Sequence, residues 1–248
     1  MGKIESFMHF QDQIRSLDLK SPPTSLREMY LNYQCRNSFG LSPETKIHRI
    51  TPKKWYQEDL SGGFLTLPRA DKDTWQKPLE NPLSNIIDTT SEPNRLIDYG
   101  ALTSSFYAQC WTSRGNARTT DWEGFSHGQE AVRVSTTIGK LLDRVMQIQD
   151  PHYMHRSWIS QVDYELTKTI KGIQNKDEVI ERMESSGALF ALSVAIVEQK
   201  HDDENEIRFL YDMSIEPHVE GVQFVDDRNL VRFPFNWEGF VDHIEYQG

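Results

Sequence analysis

Cysteine is scarce in this sequence, and the spacing of the two cysteines gives no sign of a shared role. Cys35 and Cys110 are the only thiols among 248 residues, and neither has a second Cys or a His at metal-ligand spacing. The histidines likewise follow no known ligand template. We therefore expect free thiols, no disulfide framework and no metal site.

Long hydrophobic runs and an excess of positive charge are also missing. No apolar stretch has the length of a membrane span, and the first residues lack the charged-then-apolar order of a secretory signal. The formal net charge of −10 disfavours a broad contact with phosphate backbones. We expect a soluble, cytoplasmic protein that has no membrane partner and for which nucleic acid could serve only as a substrate.

Several well-known enzyme motifs are absent from the chain. It has no Walker loop, no G-x-G-x-x-G, no G-x-S-x-G and no H-E-x-x-H. Nucleotide hydrolysis, dehydrogenase chemistry and serine hydrolysis therefore lack support from motifs.

The periodicity of the remaining sequence predicts an α+β fold. Alternating or β-branched segments predict strands at 46–50, 62–68, 104–112, 131–134, 157–166, 206–213 and in the last 20 residues, whereas 138–148 and 176–200 have helical spacing. The stretch 68–94 is rich in Pro, Asn, Asp and Ser and predicts mostly loop. We predict an N-terminal helical arm at 1–45, followed by a single domain at 46–248. Its sheet should be mixed or antiparallel, strongly twisted and flanked by helices.

A series of short motifs carries a family resemblance. In order, they are HRI at 48–50, WQKPLENPLSN at 75–85, FYAQCWT at 106–112, DWEGFS with AVRVSTTIGKLL, WISQVDY, and HDDENEIRFLY at 201–211. Over roughly residues 46–245 the chain resembles a bacterial family of unknown function, number twenty-nine seventy-one, particularly its members with a Cys-Trp-Thr strand. That family has no settled activity, so a function has to be argued from the residues.

Two carboxylates before a late strand suggest a chemistry. Glu204 and Glu206 would project on the same side of an extended segment, because side chains alternate with period two. With the arginine of HRI and a central Ser/Thr strand end, this pattern distantly resembles the Arg-Ser-Glu pattern of ADP-ribosyltransferases. The resemblance implies NAD as substrate, with Arg49 on its phosphates and Glu206 on the nicotinamide ribose. It also implies that Glu204 contacts or deprotonates the acceptor nucleophile.

Four other residues are candidates for the remaining parts of such a site. Ser126 and Ser135 are alternatives for the central serine, and Trp111 and Trp122 could stack on nicotinamide or on a base. Core packing is the commoner role of such aromatic residues. The glutamates could equally form structural ion pairs, for example with Arg208.

Three functional hypotheses follow from these residues. The first is an NAD-consuming, ADP-ribosyltransferase-like effector, a toxin or phage-defence protein, with a protein or nucleic-acid acceptor and a neutralising partner protein. It predicts a cleft where Arg49, Glu204 and Glu206 meet between aromatic walls. The second is a non-catalytic binding or regulatory module in which the charged residues form ion pairs. The third is a metal-dependent nuclease or phosphoryl-transfer enzyme using Asp202, Asp203 and Glu204.

Overall fold

A computed structural model describes residues 33–70, 86–88, 95–97, 104–146, 150, 152–162, 164, 191, 194–195, 203–216 and 219–247. Most of the predicted arm at 1–45, most of the predicted loop at 68–94, almost all of the predicted helix at 176–200, and Asp202 lie outside these residues. Within the described ranges, no helix has the length and apolar character that crossing a membrane requires.

Most of the described elements are strands, and the helices between them are short. In chain order they are β1 (Lys46–Pro52), α1 (Lys53–Gly62), β2 (Phe64–Pro68), β3 (Ile86–Asp88), β4 (Arg95–Ile97), β5 (Phe106–Thr112), α2 (Thr119–Phe125), β6 (Ala131–Thr137), α3 (Ile138–Val145), a 3-10 turn (Tyr153–His155), β7 (Ser157–Gln161), β8 (Glu206–Asp212), β9 (Gln223–Val225), β10 (Leu230–Pro234) and β11 (His243–Tyr246).

The strands form a six-stranded sheet in the order β11-β6-β1-β5-β8-β7, a three-stranded sheet in the order β2-β10-β9, and the pair β3-β4. Every described strand pairing is antiparallel. The predicted α+β class is therefore confirmed, with antiparallel rather than mixed sheets. Within the stretch predicted to be mostly loop, β3 is a short strand that pairs with β4 just beyond it.

One face of the six-stranded sheet carries the main core. Ile47, Val134, Trp111 and Phe209 project to this face from four neighbouring strands and are buried in one cluster. The smaller sheet contributes to this cluster from β2 and β10, and α3 packs its apolar side into it. The hydroxyl of Thr137 caps α3 by accepting a hydrogen bond from the Lys140 amide at 3.3 Å.

The opposite face of the same sheet has two parts. Around Phe106, Ala108, Leu210 and Trp158 it forms a second apolar cluster. Towards the other end of β5 it is polar, because the register aligns Ser135, His48, Thr112 and Glu206 side by side on β6, β1, β5 and β8.

The described end of the predicted arm packs into the fold. Residues 33–37 are helical, and Tyr33 is fully buried with its hydroxyl 2.7 Å from the Ser157 hydroxyl. The Asn37 amide donates to the Ser157 carbonyl. These contacts fix the segment against the start of β7.

The pairing of β1 with β5 is much shorter than its neighbours. Only His48 and Thr112 are partners there, whereas β1 pairs with β6, and β5 with β8, along their whole lengths. The first half of β5 turns towards the smaller sheet, because Tyr107 forms a bridge with Arg69 and the Gln109 amide donates to the Thr66 carbonyl at 3.0 Å. Beyond His48 and Thr112, the two central strands therefore separate.

Candidate functional site

A cleft lies where β1 and β5 separate. Its lining comes from 48–50 on β1 and 110–112 on β5, and from Arg114, Asn116, Ala117, Asp121, Phe125, Arg133, Glu204 and Glu206. The cavity volume is about 40 Å³. A single water molecule needs roughly 10–15 Å³ of such space. The cavity can therefore hold one small group of a ligand, but not an entire dinucleotide.

Four of the seven predicted site residues border this cleft, namely Arg49, Trp111, Glu204 and Glu206. The other three do not belong to its lining. Ser126 is buried at the end of α2, where its hydroxyl accepts a hydrogen bond from the Gly128 amide at 3.3 Å. Trp122 is half-buried on α2, and Ser135 lies behind the cleft on β6, in contact with His48.

Arg49 and Glu206 approach the cleft from different faces of the sheet. Glu206 pairs with Thr112, and Thr112 pairs with His48, so the side chains of Glu206 and His48 lie on the same face of the sheet. Because side chains alternate along a strand, the adjacent Arg49 projects to the core face. Residues of both faces can border one cleft because the strands separate there. Arg49 and Glu206 therefore project from opposite faces of the sheet, and they do not converge on a ligand from one side as expected.

The Arg49 guanidinium is a half-buried cation. Among the described residues it makes no hydrogen bond and no ion pair. Burial lowers the pKa of Arg49, and the nearby Asp59 carboxylate acts in the opposite direction. Asp59 is itself occupied by the amide and hydroxyl of Thr66. The donors of Arg49 are therefore available to a ligand.

Two further donors on the lining residues have no acceptor in the part of the chain that the structure describes. They are the indole N–H of Trp111 and the Nε–H of Arg114, and both atoms are fully buried. Trp111 is only 3% exposed. A buried N–H without an acceptor costs about 1–3 kcal/mol.

Glu206 forms a buried ion pair with Arg208. The Arg208 Nε–H donates to one Glu206 oxygen at 2.7 Å, and a second guanidinium nitrogen lies 3.4 Å from the other oxygen. Glu206 is 7% exposed and Arg208 is 2% exposed. Arg208 also donates to the Val194 carbonyl, and the Tyr164 hydroxyl accepts from the Glu206 amide at 2.8 Å. The side chain of Glu206 is consequently fixed beside the cleft.

Glu204 belongs to a turn that is fastened to the end of β5. Its carbonyl accepts a 2.6 Å hydrogen bond from the Thr112 hydroxyl, and the Asn205 carbonyl accepts from the Ser113 amide at 3.1 Å. Asn205 has a φ of 46°, in the left-handed region that Asn tolerates better than most residues. The turn holds Glu204 at the rim of the cleft.

An ion-pair network braces this turn from the other side of the cleft. Arg114 donates to the Asp203 carbonyl at 2.7 Å and to Asp121 at 2.6 Å, and Arg118 contacts both Asp121 and Asp203. Burial raises the pKa of Asp121, but hydrogen bonds from Arg118 and the charge of Arg114 outweigh it and leave the pKa below its usual value. Hydrogen bonding by Arg118 also lowers the pKa of Asp203.

The carboxylates of this region do not form a metal cluster in the part of the chain that the structure describes. No group of three or more His, Cys, Asp or Glu residues there is arranged to hold an ion. Asp203 is paired with Arg118, and Asp202, the remaining member of the proposed nuclease set, lies outside the described residues.

His48 is a cleft residue that the sequence did not identify as functional. Its Nδ1 lies 2.7 Å from the Ser135 hydroxyl. Burial, followed by the charges of Arg133 and Lys46, lowers the pKa of His48 to about 4. Arg114, Asp121 and Arg133 were missed as well. The signal for Arg133 and Ser135 was the alternation of polar and apolar residues in AVRVSTT, which predicts a polar sheet face but not its partners.

Comparison with known proteins adds no relative from which a role could be transferred. No protein-family model, no curated protein and no solved structure matches the chain.

Proposed function

We propose that the cleft binds NAD and that the protein transfers ADP-ribose from it to a macromolecular acceptor. The observation that supports this is the meeting of Arg49, Trp111, Glu204 and Glu206 at one cleft, although they are up to 157 positions apart in the sequence. The family resemblance, the toxin or defence role and a neutralising partner protein belong to the same proposal.

The unused donors of the cleft suit phosphate oxygens. Among the described residues, the guanidinium of Arg49 has no hydrogen-bond or ion-pair partner, so its donors can bind phosphate oxygens. Charge-assisted bonds from arginine to phosphate are about twice as strong as neutral ones. One phosphate or one ribose edge would fill the narrow part of the cleft, and the remainder of NAD would extend over Phe125, which is 42% exposed.

Glu206 is suited to hold the nicotinamide ribose. Arg208 occupies one position on each carboxylate oxygen, and an ionised carboxylate has about four acceptor positions. The remaining positions can accept ribose hydroxyls, and the fixed negative charge stabilises an oxocarbenium-like transition state. The bond from ribose C1′ to nicotinamide breaks with its electron pair on the nicotinamide nitrogen, the acceptor nucleophile bonds to C1′, and Glu204 takes the acceptor's proton.

A second candidate function is a binding module without turnover. It is favoured by the ion pairs, because Asp121, Asp203 and Glu206 are each paired with arginine as in a structural network. The same free donors would then bind a phosphate-bearing ligand, and no bond of that ligand would break.

Nicotinamide release from NAD distinguishes these candidates. Wild-type protein is incubated with NAD alongside Arg49→Gln and a matched control, Arg232→Gln, which removes a half-buried arginine outside the cleft lining. Loss of a charged hydrogen bond costs about 1.5–3 kcal/mol, so we expect release to fall roughly 10- to 100-fold in Arg49→Gln and little in the control.

Calorimetric titration with NAD completes the test. Binding without release would support the module and refute the transferase. Equal release by the wild type and Arg49→Gln would remove Arg49 from the mechanism. If the wild type neither binds NAD nor releases nicotinamide, both candidates fail for this ligand.

A further inference from the structure

His48 and Ser135 form a buried pair at the back of the cleft. They are direct partners across β1 and β6, and the His48 Nδ1 lies 2.7 Å from the Ser135 hydroxyl oxygen. His48 is 8% exposed and Ser135 is 7% exposed. The hydrogen bond fixes the imidazole ring in one orientation, as a second partner commonly does for a functional histidine.

The orientation of the ring directs its other nitrogen towards the cleft. The Nδ1 side faces β6, where Ser135 lies outside the cleft lining. The Nε2 side therefore faces β5, across the gap where His48 and Thr112 are the last paired residues. Among the described residues, none forms a hydrogen bond with Nε2.

We infer that His48 is a hydrogen-bond acceptor of the cleft, with an unprotonated Nε2 that accepts a hydrogen bond from a hydroxyl or amine group of the bound molecule, and that Ser135 is its positioning residue. In this arrangement Nδ1–H donates to the Ser135 oxygen, so the lone pair lies on Nε2. The inference rests on the proposed function and deepens it by naming a residue that positions the bound molecule, and the ligand it requires carries a hydrogen-bond donor.

The surroundings of His48 keep its ring neutral. Arg133 on β6, Lys46 on β1 and His243 on β11 oppose a positive charge there, and only Glu245 on β11 favours one. Across the gap, Thr112 and then Glu206 continue the same row on β5 and β8. Desolvation is the largest influence, and together these lower the pKa of His48 to about 4. A neutral ring at physiological pH has a lone pair on one nitrogen, which can accept a hydrogen bond.

Reaction with diethyl pyrocarbonate tests the inference without any ligand, because only an unprotonated imidazole nitrogen attacks this reagent. A histidine that titrates near 6.5 loses about 25-fold in reaction rate between pH 7 and pH 5. We expect His48 to react nearly as fast at pH 5 as at pH 7, with the adduct located by peptide mass spectrometry. The variant His48→Asn, whose amide can still donate to Ser135, provides the blank.

The tautomer is measured independently by 15N NMR of histidine-labelled protein. We expect a single neutral form with the proton on Nδ1, and in Ser135→Ala a mixture of tautomers in a folded protein. No adduct at His48, a 25-fold loss of its reactivity at pH 5, or a proton on Nε2 in the wild type would each overturn the inference. Because neither measurement uses NAD, a failure of NAD binding would refute the proposed function and leave this result intact.

Discussion

Replacing Glu206 with Gln should destabilise the protein, because the substitution removes the carboxylate charge that pairs with the buried Arg208 guanidinium. The two side chains are 7% and 2% exposed, and Arg208 contacts both carboxylate oxygens. Breaking a buried ion pair from one side costs about 3–5 kcal/mol. The Gln carbonyl can still accept one hydrogen bond, so we expect a loss near the lower end, about 3 kcal/mol.

Urea denaturation monitored by tryptophan fluorescence measures this loss, and thermal denaturation should show it as a drop of roughly 6–12 °C for a domain of this size. The matched control is Glu245→Gln. Glu245 pairs with Arg133 at 3.4 Å, but its side chain is 46% exposed, so its removal should cost at most about 1 kcal/mol.

A double variant separates the burial of charge from the packing of the two side chains. Glu206→Leu with Arg208→Met removes both charges and should recover most of the stability that either single change loses, apart from about 1 kcal/mol for the Val194 carbonyl left without its donor. If Glu206→Gln unfolds at the same urea concentration as Glu245→Gln, the ion pair is not a stabilising contact and this reasoning is wrong. Nicotinamide release by Glu206→Gln should be compared with that of the wild type at a temperature well below the melting temperature of the variant.

Three further predictions concern neighbouring contacts. His48→Asn should flatten the pH dependence of stability, because the folded pKa of His48 is lowered to about 4 and the unfolded value is near 6.5. His48 should therefore account for a loss of roughly 3 kcal/mol in the wild type as the pH falls from 7 to 4, measured by urea midpoints at each pH, and an equally steep loss in the variant would contradict this. Gly63→Ala should cost about 1 kcal/mol, because Gly63 ends α1 with a φ of 67°, and an unchanged melting temperature would contradict it. Asp203→Asn should change the stability little, and less still in high salt, since the Asp203 side chain is 57% exposed and salt screens its pair with Arg118; a large, salt-independent loss would contradict this.

The strands and helices around the site were largely predictable from local pattern. The alternation in KIHRI, FYAQCWT and AVRVSTT identified β1, β5 and β6, and the apolar spacing of IGKLLDRV identified α3. The helix α3 is predictable because it buries one side, and a buried side imposes its period on the sequence. The strands β5 and β6 are buried on both faces, so their β-branched and aromatic residues are the stronger signal.

The arrangement of the strands was not predictable in the same way. Which strands become neighbours, and in which register, depends on contacts between distant segments that leave no local period. The pairing of His48 with Ser135 and the separation of β1 from β5 are of this kind. The consequence is clearest for Arg49, because a shift of one residue along β1 decides which face of the sheet its side chain occupies. By contrast, the Glu206–Arg208 pair is a contact of residues two apart on one strand, and the sequence did suggest it.

A crystal structure with ADP-ribose bound tests the central claim most directly, because this ligand carries the phosphates and the ribose but cannot be consumed as NAD would be. The account predicts that a phosphate lies within hydrogen-bonding distance of the Arg49 guanidinium and that ribose hydroxyls contact Glu206, with the ligand in the gap between β1 and β5. Saturating ADP-ribose that binds elsewhere, or that leaves this gap empty in crystals where it is open to solvent, would contradict it.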